Sequence, residues 1–399
     1  MAKADKDMKH FFDPIHKMVS LFLLMVCFIL PVNSYGNELL DETISLLPRI
    51  IDGGSWESPA GHLQGIACDD SYEYMYMSFT DRLIKIDMRT NSVVASVIGF
   101  RQGGISEGGA HLGDLAYYDG KIYASLEYKS MEKFYVAVFD CESITRMNMY
   151  YWENDITKTV FIKEAVIDYC DELDAGEHDN RADSKGHRYG CSGLDGVTFG
   201  KMPGGPEEKV YLFVAYGIYE NTERNDNDYN IILVYDPETL HPIAFDQDSP
   251  HIEGPDLYKK LYVYTGNTSY GIQNLEFDKD SGDIWIIVNK GSKEKFPNYT
   301  FYLIDGSISP QKKLLHIDNI NYGALLTGDV LELKKEFGET HYTGITGIME
   351  PIYKATNGFV SLGNDYFYIA DSGKDEGKQF GHALLMKLDR TDWSFVMMN

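Results

Sequence analysis

Imidazole, carboxylate and amide side chains recur beside one short motif in this chain. The motif is an apolar residue, two small or polar residues, and a second apolar one. It reads Leu63-Gln-Gly-Ile66, Leu112-Gly-Asp-Leu115, Leu194-Asp-Gly-Val197, Ile272-Gln-Asn-Leu275 and Ile345-Thr-Gly-Ile348. In or next to it stand His62, Gln64, His111, Asp114, Asp195, Gln273, Asn274 and Glu276. His62 and His111 occupy equivalent places in successive copies, and with Asp114 and Asp195 they supply nitrogen and oxygen donors for a divalent metal. The same groups suit general acid and base work, with His111, Asp114, Asp195 and Glu276 as the catalytic set. Hydrolysis would need two carboxylates flanking one bond, one protonated and one ionised. Against this, polar side chains in a narrow channel also satisfy one another and water without any chemistry. The chain has no His-x-x-x-His pair, no serine nucleophile motif, no phosphate loop and no dinucleotide fingerprint, so no nucleotide cofactor is expected.

Two further patterns concern charge. Bases recur after the second strand-like run of each copy, at Arg82, Lys129, Arg224, Lys290 and Lys374. On one rim they would focus field on an anionic or polar ligand, although exposed loops collect lysines in any case. Acidic loops offer hard oxygen ligands at Asp171, Asp174, Glu177, Asp179 and Asp183, and at Asp226 and Asp228, which suit calcium if a divalent metal is bound. They lack the Asp-x-Asp-x-Asp-Gly spacing of a helix-loop-helix calcium loop.

The elements that must position these groups are strands. Downstream of each motif comes an aromatic-rich run: Tyr74–Phe79, Ile122–Leu126, Val210–Ala215, Ile284–Val288 and Tyr366–Ala370. A third run then ends in aspartate, at Asp87, Asp140, Asp236, Asp305 and Asp389, each able to close an Asx turn into a fourth strand such as 93–98, 313–316 or 394–397. No segment sustains a helical period. At these residues the chain resembles the β-propeller superfamily at the level of architecture, without a WD dipeptide or a kelch double glycine. The resemblance covers about residues 60–399 and implies an all-β propeller of four-stranded antiparallel blades, five in number with six as the alternative. It also implies that the motif strands line the axis. Five-bladed propellers include glycoside hydrolases that use two Asp and one Glu on inner strands, which Asp114, Asp195 and Glu276 would match, though from three different columns of the repeat. The ligand-binding set at the channel mouth is then His62, Gln64, Gln273 and Asn274, ringed by Lys129, Arg224 and Lys290. Aromatic loop residues Tyr219, Tyr229, Tyr270, Phe296 and Tyr299 would supply contact area.

Composition bounds the partners. The chain has 399 residues, 44% hydrophobic and 13% aromatic, enough for a large core, and a formal charge of -25 that repels nucleic acid. The apolar run Val19–Val32 follows Lys9 and Lys17 and precedes the small residues Ser34 and Gly36, the form of a secretory signal spanning residues 1–36. Fourteen residues reach only about 21 Å, short of a bilayer's hydrocarbon core, so no stable membrane span is expected. Residues 37–59 would be a lead-in, and 60–399 one propeller with a long insertion at 154–192. Export to an extracellular or periplasmic space permits disulfides, and Cys170 and Cys191 flank a polar stretch that a staple would close. Asn267-Thr-Ser and Asn298-Tyr-Thr are glycosylation acceptors in a eukaryotic host. The expected function is binding, with or without hydrolysis, of a small polar or anionic ligand at the mouth. If the protein is an enzyme, it is a hydrolase or lyase. The other reading is a non-catalytic extracellular module that binds a protein and holds structural calcium.

Overall fold

The computed structural model describes residues 40–57, 61–100, 110–128, 133–167, 191–206, 208–218, 222, 228–266, 268–315, 326–349 and 355–398. The apolar run 19–32, Cys170, the acidic residues 171–183, Asp226, Lys129, Arg224, Tyr219 and Asn267 lie outside them, and the side chain of Cys191 is likewise not described. The chain divides between Leu46 and Leu47. On the N-terminal side residues 40–45 are helical, and everything that follows concerns the unit from Leu47 onward.

That unit is a five-bladed β-propeller. Blade 1 runs outward through Leu63–Cys68, Tyr74–Phe79, Arg82–Asp87 and Ser92–Ile98, and blade 2 through His111–Tyr118, Lys121–Tyr128, Lys133–Asp140 and Thr157–Phe161. Blade 3 is Cys191–Lys201, Val210–Ile218, Tyr229–Tyr235 and Lys259–Tyr264; blade 4 is Ser269–Phe277, Ile284–Asn289 and Phe301–Ile304; and blade 5 is Phe359–Gly363, Tyr366–Asp375 and Lys378–Asp389. Each innermost strand touches those of the two neighbouring blades, and the last touches the first, so the ring closes. Apolar cores fill the wedges between blades. Leu115, Ile122 and Phe139 of blade 2 pack on blade 1, while Trp285 of blade 4 lies among Phe337, Phe359, Phe367 and Phe395.

All five third-strand aspartates cap a turn, but only those at Asp87 and Asp389 lead straight into the fourth strand of the same blade. Oδ1 of Asp87 accepts from Thr90 N, that of Asp140 from Glu142 N, of Asp236 from Glu238 N, of Asp305 from Ser307 N, and of Asp389 from Thr391 N. The small residues of the motif are also explained. A Cβ on Gly65 would come within 2.7 Å of Asp114 Cα and 2.8 Å of Leu115 N, because the inner strands of blades 1 and 2 meet backbone to backbone.

Three expectations are corrected. The inner strand of blade 5 is Phe359–Gly363, which repeats the apolar-x-x-apolar form, and not Ile345–Ile348. Thr346–Gly347 instead pairs with Glu339–Thr340, and Ile348 bridges Phe301, so this segment fills the outer place of blade 4. Of the run 313–316, expected as the fourth strand of blade 4, residues 313–315 lie in Gln311–Leu315, which pairs with Leu326–Leu331 at the outer edge of blade 3, and His316 lies outside the described residues. Its exposed Lys312 and Lys313 blunt that edge against further pairing. Residues 371–381, where Lys374 was expected as a rim base beyond the second strand, continue an uninterrupted hairpin whose pairs run from Tyr366 with Lys387 to Asp375 with Lys378. The strand Lys378–Asp389 is long because it holds two partners end to end, Ser394–Met397 and the early strand Ile50–Glu57, so both ends of the unit close the ring through blade 5.

Candidate functional site

The axis is closed by side chains that hydrogen-bond to the backbone of other blades. Asp114, buried from solvent, turns its Oδ2 to two amides, Val197 N of blade 3 at 2.9 Å and Leu275 N of blade 4 at 3.0 Å. Glu127 Oε2 accepts from Leu194 N at 2.8 Å. Glu276 Oε1 accepts from Ser361 N of blade 5 at 2.7 Å, Thr198 Oγ1 accepts from Phe277 N, and Asn274 Nδ2 donates to Gln64 O at 3.1 Å. Burial pushes the Asp114 carboxyl well above the usual carboxylate range even though its three backbone donors, Leu115 N included, pull it down. Burial likewise lifts Glu276 to about 8, the amide of Ser361 opposing it. Glu276 borders a cavity of about 50 Å³ with Cys68, Tyr72, Thr198 and Lys279, room for a few waters.

A different set meets where the inner strands begin. The Nε2 of Gln64 lies 2.8 Å from His62 Nε2 and 2.9 Å from His111 Nε2. An amide that donates to both rings leaves each imidazole with its proton on Nδ1. His111 Nδ1 faces Glu127 Oε1 at 3.4 Å, which suits that tautomer. The strand pairing fixes this contact, because His111 and Glu127 are cross-strand partners in blade 2. Asp195 stands in the neighbouring blade, where its Oδ2 accepts from Gln273 Nε2 at 3.1 Å, and Gln273 Nε2 also donates to Tyr270 O. A Cβ added to Gly113 would lie 3.8 Å from Asp195 Oδ1, so the carboxylate sits over the bare backbone next to His111 and Leu112.

The structure therefore joins His62, Gln64 and His111, and joins Asp195 with Gln273, but separates Asp114 and Glu276 from both by committing them to backbone amides. Among the described residues no three His, Cys, Asp or Glu side chains are grouped to hold a metal ion, so the set His62, His111, Asp114 and Asp195 is not assembled as one. Asp228, expected as a calcium ligand, is buried against Lys293 Nζ at 2.6 Å and Lys295 Nζ at 2.9 Å. Of the expected contact aromatics, Tyr229, Phe296 and Tyr299 are core residues, and Tyr270 is exposed beside the mouth. Arg82 pairs with Asp81 and lies over Trp56, and Lys290 is exposed. Cys68 and Cys141 are buried free thiols. No described helix is long and apolar enough to cross a membrane. Sequence reasoning missed Glu127. The signal was present, since pairing the motif strand of blade 2 with its aromatic neighbour places Glu127 opposite His111.

The unit belongs to the class of five-bladed β-propellers, with inner strands tied across the axis by buried side-chain to backbone bonds. No protein-family model matches the chain, and no curated protein matches it in sequence. Among solved structures it is similar to U3-55K, at 9% identity and a TM-score of 0.34 over 88% of this chain and 83% of that one. It is also similar to the holo form of the pyranose dehydrogenase PQQ domain from Coprinopsis cinerea, at 12% identity and 0.36 over 80% and 81%. A third is a functionally unknown protein from Desulfotomaculum acetoxidans, at 9% and 0.32 over 88% and 76%. At this level of overlap the likenesses carry no argument, and the propeller assignment rests on the ring of sheets itself.

Proposed function

We propose that this chain is a non-catalytic propeller that binds a small, hydroxyl-rich polar ligand at the mouth formed by His62, Gln64, His111, Asp195 and Gln273, and that it does so outside the cell, as the apolar run 19–32 suggests. The observation that carries the reading is the row of two imidazoles joined through one amide, half-buried above an axis that is closed beneath it. Neutral rings, an amide and the carboxylates of Asp195 and Glu127 offer acceptors and donors without net positive charge, which suits hydroxyl groups better than an anion. Hydrolysis by Asp114, Asp195 and Glu276 is disfavoured because Asp114 and Glu276 already serve backbone amides of other blades and do not flank a common bond.

Saturation-transfer NMR with a panel of neutral mono- and disaccharides tests this. At least one should bind the wild type and lose binding in both His111→Ala and Asp195→Asn, with little change in Tm. A panel without binders, or binders indifferent to both substitutions, overturns the mouth as a site.

A further inference from the structure

A second recess lies far from the mouth, between the outer parts of blades 2 and 3. After Asp236 the chain makes one 3-10 turn, Pro237–Thr239, and crosses to blade 2. There Ile243–Ala244 pairs antiparallel with Thr157–Phe161, Lys158 opposite Ala244, before the chain returns to blade 3 at Lys259. The crossing roofs a cavity of about 390 Å³, within the size range of small-molecule sites. Its floor is one face of blade 2, where Tyr123, Val138 and Lys158 stand in cross-strand register. Leu240 and Pro242 of the roof complete an apolar wall.

Two charges of opposite sign border this cavity and do not meet. Lys158 on the floor and Asp155 at the rim have no hydrogen-bond or ion-pair partner among the described residues, each other included. The remaining charged lining groups are engaged: Lys121 donates to Asp119 O at 3.2 Å, and Asp140 accepts from Glu142 N and Ser143 N. Asn154 and Asp155 both adopt left-handed backbone, φ 52° and 53°, a conformation that costs energy in residues other than glycine and aims the rim of the recess.

We infer that this recess is a binding site for a small zwitterion with an apolar side group, such as a hydrophobic amino acid or dipeptide. The ligand carboxylate pairs with Lys158 and its ammonium with Asp155. Its side group lies against Tyr123, Leu240 and Pro242. A zwitterion answers both protein charges, whereas a simple anion or cation leaves one of them unanswered.

Calorimetric titration with L-phenylalanine and two analogues that each lack one charge tests the assignment. Lys158→Met should weaken L-phenylalanine binding about fivefold and leave binding of L-phenylalaninamide unchanged. Asp155→Asn, which keeps a residue tolerant of the left-handed backbone, should weaken L-phenylalanine by a similar factor and leave N-acetyl-L-phenylalanine unchanged. Both side chains are exposed, so folding should survive either change, and near-UV circular dichroism checks it. The proposal is overturned if L-phenylalanine shows no saturable binding up to its solubility, or if binding ignores both substitutions. It is overturned equally if His111→Ala abolishes that binding, which would assign it to the mouth. Loss of saccharide binding in His111→Ala with L-phenylalanine binding intact keeps the two sites distinct.

Discussion

Replacing Asp114 with alanine should be among the most damaging single changes in the axis, and the size of the effect follows from two hydrogen bonds. Its Oδ2 is shared by Val197 N and Leu275 N, amides from two blades, at a site closed to solvent. Alanine leaves both amides buried without an acceptor. At about 2 kcal/mol for each unmet donor the loss is about 4 kcal/mol, a large share of the roughly 5–15 kcal/mol that holds a domain together. Tm should fall by roughly 10 °C. Asp114→Asn keeps the shared oxygen and gives up only the contact with Leu115 N, so it should cost about 1–2 kcal/mol.

The pH dependence separates these effects further. Burial raises the folded pKa of Asp114 above its unfolded value of about 3.9, so the folded state keeps a proton that the unfolded state has lost. Its stabilising contribution is complete below about pH 4 and disappears as pH rises through the folded pKa. Asp114→Asn should remove that part of the slope. Urea unfolding of wild type and both variants from pH 4 to 8 measures it. If the asparagine variant is as unstable as the alanine variant, or if its pH profile superimposes on wild type, the account of Asp114 as a tie between blades with a raised pKa is refuted.

Glu276→Gln should flatten the decline in stability between about pH 4.5 and 8, because a carboxyl lifted to about 8 loses its contribution across that window; unfolding midpoints with pH check this. The turn aspartates act with the opposite sign. Hydrogen bonds hold Asp87, Asp236, Asp305 and Asp389 below their ordinary value, Asp87 through Thr90 N and Asp236 first through Lys209. Their stabilisation is present above about pH 4 and is lost as pH falls through the folded values, so Asp87→Asn should shift the acid midpoint of a circular dichroism titration to higher pH. Asp228→Asn strands the buried ammonium of Lys293 and should destabilise by about 3 kcal/mol, with part of the loss restored by adding Lys293→Met, measured by a double-mutant cycle in urea.

Propeller architecture was legible because two of its requirements leave local marks. An axis where backbones nearly touch demands small residues at fixed places, as at Gly65, and a tight turn from third to fourth strand calls for a residue that caps its own amides, as at Asp87 and Asp389. The fifth inner strand was misplaced because 345–348 fits the four-residue pattern while 359–362, with Val360 at its second place, departs from it, and only long-range pairing with Glu339–Thr340 and Phe301 removes the first from the axis. Loop aromatics misled for a related reason. Tyr229 and Phe296 follow irregular stretches in sequence, yet Tyr229 packs in the core between blades 2 and 3 and Phe296 in that between blades 3 and 4, a burial that no local pattern records.

Polar residues near a propeller axis fall into two kinds according to what they bond, and this division decides which ones remain for a ligand. Asp114, Glu276, Thr198 and Asn274 bond backbone groups of other blades, so each is fixed by the ring's need to satisfy buried amides and carbonyls. His62, Gln64 and His111 bond one another through side-chain atoms, and side chain to side chain is the exchangeable kind of contact, since a ligand hydroxyl can replace either partner without orphaning a backbone group. Glu127 belongs to both kinds, with one oxygen on Leu194 N and the other facing His111, and so couples the rigid ring to the exchangeable mouth. The carboxylates with the most altered acidity are therefore the scaffold, and in the proposed function a ligand meets the residues whose bonds the ring can spare.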